Sequence, residues 1–318
     1  MKRKTTVALA LVMAMMLLAG GALAVASGTG MLDFLNRKMG QTVLPGAEEI
    51  VQSDIAHGET DHMIYHVKQA VYDGKSVSLL VEMQAKDEKT FLITEGYCLN
   101  DRYGSLAYNT EAEMLSDPRT IEEYARENGY TQIMSANMHF DIGSDIACVE
   151  EWKANVLTVM YSFRAEGDVL TLPATYSEFN VETGTAQHAQ GEIVLTATEP
   201  LWTVSSEQTF SLPEYGIRIE GMTVTGTMLQ SYWAVHFTIT DAAKAEGFHW
   251  FDLLSAEGET LPRGVLGAGG SKIPSDIDEQ HIWTGGFGAV SAAPEQLMLR
   301  IRDLDGIIEP VQMIFDLK

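Results

Sequence analysis

The chain has 318 residues, with 21 Lys and Arg against 44 Asp and Glu, which gives a net charge of −23 at pH 7. A surface of this sign repels phosphate backbones and anionic lipid headgroups, so the composition excludes nucleic-acid binding and docking on a lipid surface. Hydrophobic residues make up 46% of the chain, and 11 Tyr, 11 Phe and 5 Trp favour packed cores over disorder.

The N-terminal segment has the pattern of an export signal. A basic head from Lys2 to Lys4 precedes an apolar run, Val7–Ala26, which ends in small residues. The run of 20 residues is also long enough to span a bilayer, so a cleaved signal peptide and an uncleaved membrane anchor both remain open. We therefore expect an extracytoplasmic protein, secreted or membrane-anchored, that contacts the membrane only through residues 1–26.

The remaining length, about 290 residues, suits two domains. Residues 27–56 are predicted to form a stem, because Pro45-Gly46 interrupts two short helix-like segments there. The first domain is predicted at 57–200, with Pro200 near its end, and the second at 201–318.

The clearest strands open the first domain. Apolar residues alternate from Met63 to Val71 and again from Val77 to Met83, and Asp73-Gly74 between them is typical of a tight hairpin turn. A Glu-, Ala- and Arg-rich stretch near residues 111–128, ended by Gly129, predicts a helical insertion before strand patterns resume.

The second domain shows the same kind of pattern. Alternation shifts its parity at Gly221, which indicates a β-bulge, and Trp233–Ile239 alternates cleanly as a strand. Two last strands, around Leu297–Ile301 and Val311–Leu317, predict a closing hairpin. Many short strands separated by turns predict a mainly β chain with two β-sandwich domains.

Metal-type ligands are densest in the segment that opens the first domain. They are Asp54, His57, Glu59, Asp61, His62 and His66. His62 and His66 lie on one face of a predicted strand but about 13 Å apart, too far to share an ion. Only His57 with His62, brought together by a bend at Gly58, is a plausible pair, and the alternative is a solvated strand edge. We assign no metal ligand.

Other motifs carry little chemistry. Gly267–Lys272 lacks the order and the following helix of a phosphate-binding loop, and Asp303–Gly306 lacks the flanking ligands of a calcium loop. The sequence contains no serine-nucleophile elbow, zinc-protease motif or CxxC pair, so no catalytic or cofactor-binding residue is assigned and no cofactor is expected. Four tryptophans could line a sugar-binding face or fill sandwich cores: Trp202, Trp233, Trp250 and Trp283.

The two cysteines, Cys98 and Cys148, form a candidate disulfide, because export would permit oxidation. Two buried, unpaired thiols are the alternative, and the sequence alone leaves both open.

Three stretches, Gly30–Leu35, Leu44–Gln52 and Ala70–Gly74, together with the Ala-rich apolar segment, resemble uncharacterised proteins of Gram-positive, Clostridia-type bacteria. The resemblance covers mainly residues 5–85. It implies extracytoplasmic, immunoglobulin-like β-sandwich domains and carries over no catalytic residue. Some relatives place an anti-sigma segment before the membrane helix. Only Met1–Lys4 precedes the apolar run here, so we do not expect a direct anti-sigma role.

The sequence therefore predicts a non-enzymatic envelope protein with a binding, sensing or structural role and an unknown protein or envelope ligand. Two alternatives stay open. A carbohydrate-binding module would need exposed, coplanar tryptophans. An exported metal-dependent hydrolase would need His57 or His62 to meet acidic residues from elsewhere in the chain.

Overall fold

A computed structural model describes residues 30–37, 40–95, 121–141, 146–245, 248–262, 271–272, 280–303 and 307–318. The chain divides into two compact units. The first comprises Ile50–Thr198 together with the described residues up to Phe34, and the second comprises Glu199–Lys318 together with Leu35–Glu49. The division after Thr198 lies beside Pro200.

Short helices account for little of the described chain. They are α1 (Met31–Arg37), a 3-10 turn (Ala47–Ile50), α2 (Ile121–Asn128) and α3 (Ala242–Ala245). None of them is long and apolar enough to cross a membrane, and residues 1–29, which carry the predicted signal or anchor, lie outside the described residues.

The described part of residues 27–56, the predicted stem, contains α1 and the 3-10 turn, where the sequence indicates short helix-like segments. Met31, Phe34 and Leu35 are buried because their spacing puts all three on one face of α1. The Met31 amide also donates to Oε1 of Gln69 over 2.7 Å. The first sheet begins at Gln52 and not at His57. This strand lacks regular alternation, which is why the sequence pattern did not show it.

The first unit contains two sheets. One consists of β1 (Gln52–Glu59), β2 (Met63–Tyr72), β3 (Ser76–Ala85), β6 (Ile146–Lys153) and β7 (Val156–Arg164), in the order β1-β2-β3-β7-β6. The other consists of β4 (Phe91–Glu95), β5 (Gln132–Phe140), β8 (Val169–Asn180) and β9 (Thr185–Thr196), in the order β4-β5-β8-β9. β4 and β5 are parallel and the other ladders are antiparallel.

The second unit also contains two sheets. One consists of β10 (Trp202–Ser206), β11 (Phe210–Leu212), β12 (Ile217–Gly226), β13 (Gln230–Ile239) and β16 (Gln280–Gly288), in the order β10-β12-β13-β16 with β11 beside β12. The other consists of β14 (Phe248–Ser255), β15 (Ser271–Lys272), β17 (Gln296–Asp303) and β18 (Val311–Asp316), in the order β15-β14-β17-β18.

Each unit has one hydrophobic core to which both of its sheets contribute. In the first unit, Tyr65 of β2 meets Tyr176 of β8 with ring centroids 5.2 Å apart. In the second, Phe237 of β13 meets Phe251 of β14 at 6.2 Å. The chain is therefore mainly β, and two sheets sharing one core fit a β-sandwich in each unit.

The predicted hairpins are confirmed. β2 and β3 pair from Met63↔Ala85 to Tyr72↔Val77, and Oδ1 of Asp73 closes the turn by accepting from the amides of Lys75 and Ser76. β17 and β18 form the closing hairpin.

The bulge predicted at Gly221 is also confirmed, because the register of β12 against β13 shifts between Ile219 and Gly221.

The helical insertion is described in part. α2 occupies the end of the predicted 111–128 stretch and follows β4 and precedes β5 along the chain. Because β4 and β5 pair in parallel, the chain between them must form a crossover connection. Residues 96–120 lie outside the described residues.

Candidate functional site

The candidate site lies on β1, an edge strand of one sheet of the first unit, and on its neighbour β2. The β1–β2 ladder places His57 directly opposite His66. Directly opposed residues on an antiparallel pair have Cβ atoms about 4.5–5.5 Å apart, so their side chains touch. The two imidazole rings stack with centroids 4.2 Å apart and an interplanar angle of 21°.

A bulge brings Asp54 to the same face as His57. Residues three apart on a regular strand point to opposite faces. The β1–β2 register shifts between Ser53 and Ala56, and Asp54 adopts a φ of 56°. A left-handed backbone costs about 1–2 kcal/mol for a residue other than glycine, although Asp tolerates it better than most. The local backbone is therefore strained where it turns this carboxylate toward the histidines.

The three side chains converge on one oxygen. Asp54 Oδ1 lies 2.7 Å from Nε2 of His57 and 2.9 Å from Nε2 of His66. We call these three residues the edge cluster. The side chains of Asp54, His57 and His66 are 57%, 58% and 29% exposed, so the cluster faces solvent.

The electrostatics of the edge cluster favour a carboxylate beside a neutral imidazole. Hydrogen bonds from His57, and then from His66, lower the pKa of Asp54. Burial lowers the pKa of His66, and the neighbouring His57 lowers it further, while Asp54 and Glu82 offset part of the shift. Glu82 lies opposite His66 on β3 and is paired with Lys68 at 2.8 Å.

His66 should therefore titrate below the ordinary histidine pKa of about 6.5 in protein treated with a chelator. The His66 ring binds a proton more readily in the unfolded chain than in the folded one. The free energy of unfolding of the first unit therefore falls as the pH drops below about 6.5. An NMR titration of the His66 ring protons measures the midpoint. The His57→Gln variant should move that midpoint upward, because it removes His57, which lowers the pKa of His66. A wild-type midpoint at or above 6.5 would contradict this interpretation.

His62, which the sequence analysis paired with His57, contacts the opposite sheet instead. Its Nδ1 lies 2.7 Å from Oε1 of Glu178, on β8 of the opposite sheet. Oε2 of Glu178 accepts from the amide of His62 at 3.2 Å and from the hydroxyl of Thr60. The Glu178 side chain is only 2% exposed. We call Thr60, His62 and Glu178 the turn anchor, because their hydrogen bonds connect the β1–β2 turn to the second sheet. No sequence pattern indicates these contacts.

A second charged cluster lies on β14 and β17 of the second unit. Asp252 accepts from Nη2 of Arg300 at 2.8 Å and from the Trp250 indole at 2.6 Å, and Nε of Arg302 is 2.8 Å from the same carboxylate. The strand register places Asp252 opposite Arg300 and Trp250 opposite Arg302. This cluster cross-links two neighbouring strands.

The four tryptophans singled out in the sequence do not form an exposed row. Trp233 and Trp283 are buried in the core of the second unit. Trp202 and Trp250 are half-buried, and their indole N–H groups donate to the Val290 carbonyl and to Asp252. The core interpretation holds for Trp233 and Trp283.

Several other predictions fall wholly or partly outside the described residues. Cys98 lies there, and Cys148 is described only as a strand residue of β6 opposite Met160, so the disulfide is not tested. Most of the Gly267–Lys272 loop lies there too. At Asp303–Gly306, Oδ2 of Asp303 accepts from the amides of Ile307 and Ile308 at 2.9 and 3.2 Å, as expected for a turn.

Comparisons with known proteins add little. No protein-family model matches the chain, and no curated protein matches it. One solved structure, described as the crystal structure of the conserved domain protein from Bacillus anthracis, is similar with a TM-score of 0.49 and 10% sequence identity. That similarity covers 87% of this chain and 94% of the other. At this TM-score it carries no argument about function.

Proposed function

We propose that this chain is an exported, non-enzymatic envelope protein, released from or anchored in the membrane through residues 1–26, that acts by binding. The observation that carries the proposal is the exposure of the edge cluster. Enzyme sites are concave and exclude water, which strengthens their electrostatic interactions. Side chains that are 57%, 58% and 29% exposed on an edge strand are suited to capturing a ligand from solvent.

The immunoglobulin-like class of sandwich belongs to the same proposal. It is supported by the resemblance of residues 5–85 to extracytoplasmic proteins of Clostridia-type bacteria. It is also supported by the second unit, whose described ladders are all antiparallel and whose chain passes from one sheet to the other between β13 and β14. The parallel pair β4–β5 departs from that pattern in the first unit.

A metal-dependent hydrolase is the second candidate, because His62 does meet an acidic residue from elsewhere in the chain, Glu178. However, this carboxylate is buried, and three donors already occupy its oxygens. Zinc-dependent hydrolysis of a chromogenic ester that disappears in the His62→Gln variant would support the hydrolase. Equal background rates in both proteins would support binding alone.

Export is tested in cells that express the full chain. External protease should digest the protein in intact cells, whereas a cytoplasmic marker should survive. Mass spectrometry of the recovered N-terminus then separates the two forms of export. A new terminus at Val25 or Ser27 indicates a cleaved signal peptide, and an intact residue 1 in the membrane fraction indicates an anchor. Protection of the chain from external protease would contradict the proposal.

A further inference from the structure

We propose that Asp54, His57 and His66 form a binding site for a divalent late first-row transition-metal ion, of which Zn²⁺ is the representative. The inference depends on the local geometry of the edge cluster and not on the cellular location of the protein.

The ligand atoms are already gathered. One ligand atom each of Asp54, His57 and His66 lies within 4.8 Å of the other two. Zinc bonds of about 2.0–2.2 Å place the ligand atoms of a tetrahedral ion about 3.3 Å apart. The two N···O distances of 2.7 and 2.9 Å need to lengthen by about half an ångström, and the stacked rings must rotate until both Nε2 lone pairs, which lie in the ring planes, point at one ion. Exposed side chains on an edge strand can make that adjustment.

The hydrogen bonds of the edge cluster can be exchanged for metal bonds. Two imidazole nitrogens facing one carboxylate oxygen both act as donors when the imidazoles carry their protons on Nε2. When a metal binds, each imidazole carries its proton on Nδ1 instead, and the two Nε2 lone pairs and the carboxylate coordinate the ion. Neutral imidazole is the form that metals bind.

The backbone holds the three ligands on one face. The cross-strand pairing of His57 with His66 stacks the two rings face to face. The bulge with the left-handed Asp54 supplies the third ligand from a position that a regular strand would turn away. Unusual backbone conformations of this kind concentrate at functional sites, so the strained residue and the ligand set point to the same place.

The donor types select the ion. Two imidazoles and one carboxylate suit Zn²⁺, Cu²⁺ or Ni²⁺, whereas Mg²⁺ and Ca²⁺ prefer sites built from oxygen alone. Three protein ligands leave at least one coordination position for water or for a group supplied by a partner. The net charge of −23 favours the approach of any cation, so the donor set and not the overall charge must provide the selectivity.

The test is isothermal titration calorimetry of untagged, chelator-treated full chain with Zn²⁺ and, in parallel, with Mg²⁺. We expect one equivalent of Zn²⁺ and no Mg²⁺ binding of comparable affinity. The His57→Gln/His66→Gln double variant should lose more than about 100-fold in Zn²⁺ affinity, because outer-shell changes alone cost about 10–100-fold. Asp54→Asn should weaken binding by about tenfold or more, because it removes the ligand's charge.

Two control variants make the result specific. His139→Gln changes an exposed histidine on β5 and should leave Zn²⁺ affinity unchanged. His62→Gln changes the nearby histidine of the turn anchor and should also leave it unchanged. A wild-type chain that binds no stoichiometric Zn²⁺ would overturn the proposal, as would a double variant that binds like the wild type. Loss of binding in His62→Gln alone would place the site at Glu178 and would equally overturn it.

Discussion

Replacing Glu178 by Ala should lower the free energy of unfolding of the first unit by about 2–4 kcal/mol, because donors that lose their acceptor cost about 1–3 kcal/mol each where they are buried. The change leaves three donors without their acceptor: the Thr60 hydroxyl, the His62 amide and Nδ1 of His62. It also releases the β1–β2 turn from the opposite sheet. Hydrogen exchange of β2 and β8 peptides in urea reports the stability of this unit separately from the other.

Two further variants keep this result interpretable. Glu178→Gln retains the shape and one acceptor oxygen, so it should cost less, about 1–3 kcal/mol. Glu192→Ala removes an exposed carboxylate from neighbouring β9 and should stay within about 0.5 kcal/mol of wild type. If Glu178→Ala were as mild as Glu192→Ala, the turn anchor would have no energetic role.

Gly58→Ala should destabilise the first unit by about 2–3 kcal/mol through overpacking. A Cβ at Gly58 would lie 2.3 Å from Cε2 of Tyr176, where no real contact occurs. The Tyr176 ring is 1% exposed and cannot retreat, because Gly191 on β9 approaches the same ring and a Cβ there would lie 2.6 Å from it. The two glycines thus make room for one buried aromatic ring.

A double-mutant cycle tests that explanation. Gly58→Ala should cost at least about 1 kcal/mol less in a Tyr176→Leu background, because the smaller side chain leaves space for the added methyl group. Urea unfolding of the wild type, both single variants and the double variant gives the coupling energy. Strictly additive costs would mean that the destabilisation arises from the backbone of β1 and not from the ring.

The strands with regular alternation could be predicted because one of their sides is more buried than the other. In the first half of β2 and in β13 the buried apolar residues recur at every second position, as Met63, Tyr65 and Val67 and the set from Trp233 to Ile239 show. The same alternation identifies Trp233 as a core residue, since it shares the buried face of β13 with Val235 and Phe237.

Edge strand β1 could not be predicted in the same way. Neither of its faces is consistently buried, and its bulge breaks the period of two, so Gln52–Glu59 has the pattern of a polar stem. The edge cluster escapes prediction for the same reason. The spacing of His62 and His66 along one predicted strand excludes a shared ion, but His57 and His66 meet across a hairpin whose first arm has no recognisable strand pattern. The sequence indicates the right segment, but the structure pairs His57 with His66 and not with His62.

The turn anchor and the glycine contacts lie beyond any local pattern. Glu178 is separated from His62 by 116 residues, and Gly191 and Gly58 are separated by a comparable stretch of chain. Which residues meet between two sheets depends on the strand order, β1-β2-β3-β7-β6 against β4-β5-β8-β9, and on the register of each ladder. Neither is encoded in the alternation of a single strand.

The most direct test of the edge cluster is the anomalous diffraction of crystals grown with equimolar Zn²⁺, measured on both sides of the zinc absorption edge. We expect one anomalous peak in the first unit, about 2.0–2.2 Å from Asp54 Oδ1 and from Nε2 of His57 and His66. A peak beside His62 and Glu178 instead, or no peak in the first unit, would contradict the assignment of the edge cluster as a metal-binding site.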